Sequence, residues 1–156
     1  MIFDGHAYCW PDLTGSGGFD SPEGLRRHLQ SAIANHHQPA LRVRDRAHGD
    51  NSALVDPSRR TRLDALKDAE FRWAGNGRFE WMDGGETYFK QYFGPSMRES
   101  SYGPESLIAE MDYAGVDMAL LHRTPYLGID NDFIVDCVSP FPERLRGLAH
   151  GPERRG

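Results

Sequence analysis

Three apolar runs in this chain each finish on a histidine: residues 2–6 end on His6, 116–122 on His122 and 145–150 on His150. If each run is a strand of one parallel sheet, all three imidazoles gather at the carboxyl rim. That is where open α/β sheets and (β/α) barrels place their chemistry. The stretch between the second and third runs reads as a helix, which a parallel crossover requires. The pattern predicts an α/β chain with about three parallel strands of a (β/α)8 barrel.

Local signals fill in the rest. Ser21, Pro22 and Glu23 form a helix start, with a hydroxyl cap, proline at the first helical position and an acid near the positive dipole end. Leu25, Leu29 and Ile33 then recur every four residues to give one apolar stripe. His36 and His37 fall at its end, where a cation favours the dipole. Residues 38–60 are polar and read as a surface excursion, followed by a short helical piece over 62–69. Next come three aromatic, roughly alternating runs, at 70–73, 78–81 and 87–93, separated by Gly75-Asn76-Gly77 and Asp83-Gly84-Gly85. Glycine turns between alternating runs predict a small antiparallel meander.

After Pro104-Glu105 a second helix is predicted, with Leu107, Ile108, Met111 and Ala114 on one face and Gly115 as its left-handed stop. The run 116–122 is apolar except for Asp117, as expected of a strand covered on both faces. A helix over 131–139 turns Phe133, Ile134, Cys137 and Val138 inward and is stopped by Pro140 and Pro142. The distance from Val116 to Leu145 suits one βαβ unit. The stretch between the first strand and Pro104 is too long for a crossover. Residues 1–156 are therefore expected to be one incomplete barrel domain, with 10–103 a helix-plus-meander insertion.

Composition limits the function classes. The net charge of −5 is spread over interspersed signs, which argues against nucleic acid as a partner. Arg42, Arg44 and Arg46 make a short basic stripe, but Asp45 and Asp50 dilute it. No apolar stretch approaches the ~20 residues that span a bilayer, so no membrane partner is expected. Cys9 and Cys137 sit far apart in apolar context, which suits buried free thiols in a reducing cytoplasm better than a disulfide framework.

The run Ile2-Phe3-Asp4-Gly5-His6-Ala7-Tyr8 resembles the first strand of the amidohydrolase superfamily, whose usual pattern is Asp-x-His-x-His. Residues 105–117, a helix followed by Gly115-Val116-Asp117, look like the corresponding segment of its amidohydrolase-related branch. That branch includes the aminocarboxymuconate-semialdehyde decarboxylase-like proteins. The helix from Asn131 leading to Phe141-Pro142-Glu143-Arg144 before a third strand is also similar. The resemblance covers the first strand and everything after Pro104, about the first two-fifths of a ~250-residue barrel. It implies a TIM-barrel metal-dependent hydrolase acting on a small carbonyl-containing substrate, with metal-assisted non-oxidative decarboxylation as the close alternative. The implied cofactor is a divalent metal, zinc first, with manganese or iron possible.

By that resemblance His6 is the metal ligand, while Tyr8, His122 and His150 line the substrate pocket. Tyr8 stands where the family pattern has its second histidine, and a neutral phenol is a poor ligand. A catalytic metal normally takes three protein ligands and keeps an open position, so this portion offers one ligand of a set. The plainer readings are hydrogen-bonded rim histidines, an aromatic wall at Tyr8 and Trp10, and an ion pair from Arg123 to Asp130 or Asp132. Asp4 is expected to be structural. The aromatics from Trp73 to Phe93 suit a meander core better than a ligand cage. Gly15 to Gly18 lack the lysine and setting of a phosphate loop. Two rivals remain: a truncated, inactive chain that self-associates through exposed sheet edges, and a small binding module built on the meander.

Overall fold

The computed structural model describes residues 1–56, 58, 65–122, 125–128 and 131–149. In chain order its elements are β1 (Phe3–Ala7), α1 (Pro22–Asn35), β2 (Leu41–Arg42), β3 (Arg72–Trp73), β4 (Arg78–Asp83) and β5 (Glu86–Gln91). They continue with α2 (Pro104–Ala114), β6 (Met118–Leu121), a 3-10 turn (Pro125–Leu127), α3 (Asn131–Val138) and β7 (Leu145–Gly147). These fall into two compact units, residues 1–12 with 101–156, and residues 13–100. Among the described residues no helix is long and apolar enough to cross a membrane.

The first unit holds an open three-stranded sheet in the order β1-β6-β7, with both pairings parallel. The strands are those the histidine-ended runs predict. Ala7, Ala119, Leu121 and Leu145 are buried with Leu107 and Met111 of α2 and Ile134 and Cys137 of α3 in one cluster. Both helices thus cover the same face. Gly115 ends α2 in the left-handed conformation (φ 70°), its N–H reaching back to Met111 and Asp112. Arg144 ties the loop before β7 to the start of β6. Its Nε donates to Asp117 O at 2.7 Å, and its Nη2 to Asp112 Oδ1 at 2.7 Å and Val116 O at 3.1 Å.

One expectation needs correcting. The apolar run of β6 suggests cover on both faces, yet only Ala119 and Leu121 are fully buried while Met118 and Leu120 are half-exposed. The helices lie on one side of the sheet, and Phe3, paired with Met118, is 49% exposed on the other. The observed architecture is therefore an open sheet with one helical layer.

The second unit is a four-stranded antiparallel sheet in the order β2-β5-β4-β3 with α1. The meander β3-β4-β5 follows the aromatic runs. β2 is an addition that a polar, two-residue strand does not announce. Antiparallel partners share a face, so Phe79, paired with Trp73 and Lys90, and Trp81, paired with Tyr88, lie together. Glu80, paired with Arg72 and Phe89, lies on the other side. There it takes ion pairs from Arg72 at 3.0 Å and Arg78 at 2.9 Å. The basic stripe is engaged within the unit: Arg42 and Arg44 both pair with Asp45, and the Arg46 guanidinium lies 4.9 Å over the Phe89 ring.

α1 begins as its sequence predicts, with Ser21 Oγ accepting from Gly24 N at 3.2 Å and Leu25, Leu29 and Ile33 buried. Its interior also holds Gln30, whose Nε2 donates to Leu54 O at 2.8 Å and Lys67 O at 2.7 Å. Those carbonyls belong to two segments that pair as extended chain. Asp56 N donates to Ala65 O, and Lys67 N donates to Leu54 O. The helical piece expected over 62–69 lies partly outside the described residues, and Leu66 within it forms an antiparallel bridge with Val55.

The carboxyl end of α1 does carry a cation, but from another strand. Lys90 Nζ, 1% exposed as a residue, donates to Ile33 O and His36 O at 2.7 Å each. His36 is not that cation. Burial first, then the charges of His37 and Lys90, hold its imidazole below the usual histidine value. Its Nδ1 accepts from Gln38 N at 3.4 Å, which needs the unprotonated ring.

As pH falls through the unfolded-state value of about 6.5, the unfolded chain binds a proton that folded His36 refuses. Stability contributed by the neutral ring is thus present above that value and lost as pH drops below it. The expected result is a fall in melting temperature between pH 7.5 and 5.5 that is smaller in His36→Asn, as measured by thermal unfolding. Equal pH slopes in the two proteins would contradict it.

Candidate functional site

The carboxyl ends of β1 and β6 bring two of the predicted histidines together. The His6 and His122 ring centroids are 4.4 Å apart, and Tyr8 lies 5.0 Å from His6 and 6.2 Å from His122. The Tyr8 hydroxyl and His6 Nε2 are hydrogen-bonded. His6 is exposed, Tyr8 is 37% exposed and His122 is half-buried, so the group is open to solvent. His150 and Arg123 lie outside the described residues.

A register shift aims His6. β1 pairs Asp4 with Ala119 and Ala7 with Leu121, so it spends three steps where β6 spends two. That is a β-bulge, a device that re-aims a side chain. Strict alternation from Asp4, opposite the helix-facing Ala119, would send His6 toward the helices. The extra residue instead buries Ala7 there and leaves His6 beside His122. Two short contacts hold the bend. Asp4 Oδ1 accepts from His6 N at 2.9 Å, the local turn an aspartate favours. His122 Nε2 lies 2.9 Å from Gly5 O.

The second contact sets a tautomer. A carbonyl oxygen can only accept, so Nε2 of His122 carries a proton, and in the neutral ring Nδ1 is the free acceptor. His6 is less restricted, because the Tyr8 hydroxyl can donate or accept. Together the two imidazoles offer two nitrogen donors. Among the described residues there is no group of three His, Cys, Asp or Glu that could hold a metal ion. The set is one short of the usual catalytic three, so these residues alone do not fit a catalytic metal.

Other candidates fall elsewhere. Trp10 stacks on Tyr102 at 5.1 Å, with Trp10 N donating to Tyr102 O and Tyr102 N donating to Trp10 O at 3.0 Å each, and so serves as a wall of the fold. Three of the meander aromatics are interior, Trp81 at 0% exposed and Phe79 and Phe89 at 1%, while Trp73, Tyr88, Tyr92 and Phe93 are half-buried. Sequence reasoning did not see the bulge, the Gly5 carbonyl, or that Cys9 and Cys137 share one buried cluster. Asp-Gly-His was a signal for the first, since Asp before Gly commonly bends a strand. Compared with known protein families, curated proteins and solved structures, the chain matches none.

Proposed function

We propose that the parallel-sheet unit is the N-terminal portion of a (β/α)8 metal-dependent hydrolase of the amidohydrolase-related kind. His6 is its ligand to a divalent metal, zinc first and manganese or iron as alternatives. Tyr8, His122 and His150 line the pocket of a small carbonyl-containing substrate. The observation that carries this reading is the convergence of His6 and His122 at the carboxyl rim of a parallel sheet. The one-sided helical layer supports it, because barrels keep helices outside and fill the other face with further strands.

When bound, such a metal supplies an acidified water near neutral pH. His122 holds Nδ1 as an acceptor while its Nε2–H is committed to Gly5 O. Tyr8 orients the His6 ring through its hydroxyl. Non-oxidative decarboxylation remains the alternative chemistry for the same group.

Zinc titration of the purified chain by calorimetry tests the proposal. Binding is expected to be weaker than at a complete three-ligand set, with affinity falling about tenfold or more in His6→Ala. Identical isotherms for the two proteins, or no binding to either, would sink it. A second reading rests on the open edges of β1 and β7 and on the exposure of Phe3 (49%) and Leu148 (44%). It makes the unit a self-associating surface. Concentration-dependent sedimentation without zinc binding supports that reading instead.

A further inference from the structure

One face of the antiparallel sheet gathers more arginine than its own carboxylate can neutralise. Alternation puts Arg78 and Glu80 of β4 on the same side, where Arg72 and Phe89 are the cross-strand partners of Glu80. Glu80 is 8% exposed and divides its carboxylate. Its Oε2 accepts from Arg72 Nη2 at 3.0 Å, and its Oε1 pairs with Arg78 Nη2 at 2.9 Å. One negative charge thus serves two guanidiniums.

A third guanidinium arrives from the turn after β2. The Arg46 guanidinium carbon lies 4.9 Å from the centre of the Phe89 ring, and that of Arg78 lies 5.1 Å from the same centre. Stacking on a ring holds a cation without cancelling its charge. Among the described residues no carboxylate pairs with Arg46, whereas Arg42 and Arg44 both have Asp45. Arg46 also has φ 61°, a left-handed backbone that glycine or asparagine adopts more readily than arginine. That strain falls on the residue that brings the third charge to the patch.

Three cations around one carboxylate leave an excess of two positive charges. Acceptors are also short. Among the described residues Arg78 Nε is buried without a hydrogen-bond partner.

We propose that Arg46, Arg72 and Arg78 form a binding site for a phosphate group, either free or carried by a small monoester. A phosphate near neutral pH brings close to two negative charges, which matches the excess. Its oxygens also suit the guanidinium fork, which bonds two at once. Arg72 uses one proton on Glu80 and one on Glu70 O at 3.4 Å, out of the five that a guanidinium carries. Arg46 is exposed and the Arg72 side chain is 46% exposed, so an anion from solvent meets them before the buried Glu80. The net charge of −5 disfavours a long polyanion and leaves a small one. This site belongs to the antiparallel unit and is independent of any metal at His6.

The test titrates the full chain with sodium phosphate and, separately, with methyl phosphate, each against sodium chloride at matched ionic strength. Binding is read from the arginine Nε–H signals in nuclear magnetic resonance and from the melting temperature. The Arg46 and Arg72 signals are expected to shift to saturation, with the melting temperature rising as the site fills. Tighter binding of methyl phosphate identifies a monoester as the ligand, and tighter binding of phosphate identifies the free ion. Arg46→Met keeps the apolar stem over Phe89 and should weaken affinity about tenfold or more. Arg44→Met removes the same charge from the same turn, but from an arginine already paired with Asp45 and Glu86. Its affinity should change by less than about twofold. The proposal is overturned if the shifts follow ionic strength alone, or if Arg46→Met loses no more affinity than Arg44→Met.

Discussion

Gly77→Ala is expected to unfold the antiparallel unit at denaturant concentrations where the parent remains native. Gly77 has φ +70°, and a Cβ there would lie 2.4 Å from Gly94 O and 2.6 Å from Phe93 O. Both obstacles are backbone, and neither can swing aside. The Gly77 carbonyl accepts from Tyr92 N at 2.9 Å and Phe93 N at 2.8 Å, which clamps the two chains. Gln91 Nε2 adds bonds to Asn76 O and Phe93 O. Left-handed backbone alone costs an L-residue about 1–2 kcal/mol. With the clash added, a loss on the order of 3 kcal/mol or more is expected.

Gly84→Ala is the control. Its φ is +57°, but nothing lies within 4 Å of its Cβ position, so only the conformational part applies. Urea unfolding monitored by near-ultraviolet dichroism should show a midpoint shift at least about twice as large for Gly77→Ala. Equal shifts would mean that the close approach of the turn to residues 93–94 contributes nothing.

Lys90→Met is the second large effect. Methionine keeps the length and apolar stem of the side chain but removes the donor. Ile33 O and His36 O then lose a charge-assisted bond each at the buried end of α1. Ile33 O keeps the His36 N–H at 3.2 Å, so the loss of a charge-assisted donor at each carbonyl and of a cation at a helix carboxyl terminus together predicts about 2–4 kcal/mol of destabilisation. A second readout distinguishes the charge from general packing loss. Lys90 helps hold the His36 imidazole below its ordinary value, so its removal must move that titration upward. Both effects are measurable, by urea unfolding and by following the His36 ring through a pH titration in nuclear magnetic resonance. A destabilised variant in which His36 titrates as before would assign the loss to packing alone.

The same lysine shows where sequence reading stops. In the sequence Lys90 sits between Phe89 and Gln91 in an alternating run, and a strand lysine normally faces water. Its burial arises because its cross-strand partner Phe79 and its neighbours on that face are apolar, and because α1 ends within its reach. The expected cation at that helix end was present, but carried by a residue dozens of positions away. Glu80 behaves similarly, 8% exposed yet paired with two arginines from its own sheet. β2 escaped notice because two residues carry no period, and its pairing with Tyr88 and Phe89 is made wholly through the backbone.

In the parallel unit the strands, the two helices packed on them and their proline and glycine boundaries were legible, since each follows from periodicity and local capping. So was the meeting of His6 and His122, which requires only that parallel strands end on the same rim. Which face His6 occupies was not legible. A bulge depends on how one strand registers against another, and β1 has no internal signal of the spacing in β6. The burial of Cys9 and Cys137 in one cluster is of the same kind, set by how α3 lies on the sheet. Local order is written in the chain because it depends on neighbours a few residues away. Burial, register and the pairing of remote groups arise only when non-adjacent segments compete for the same space.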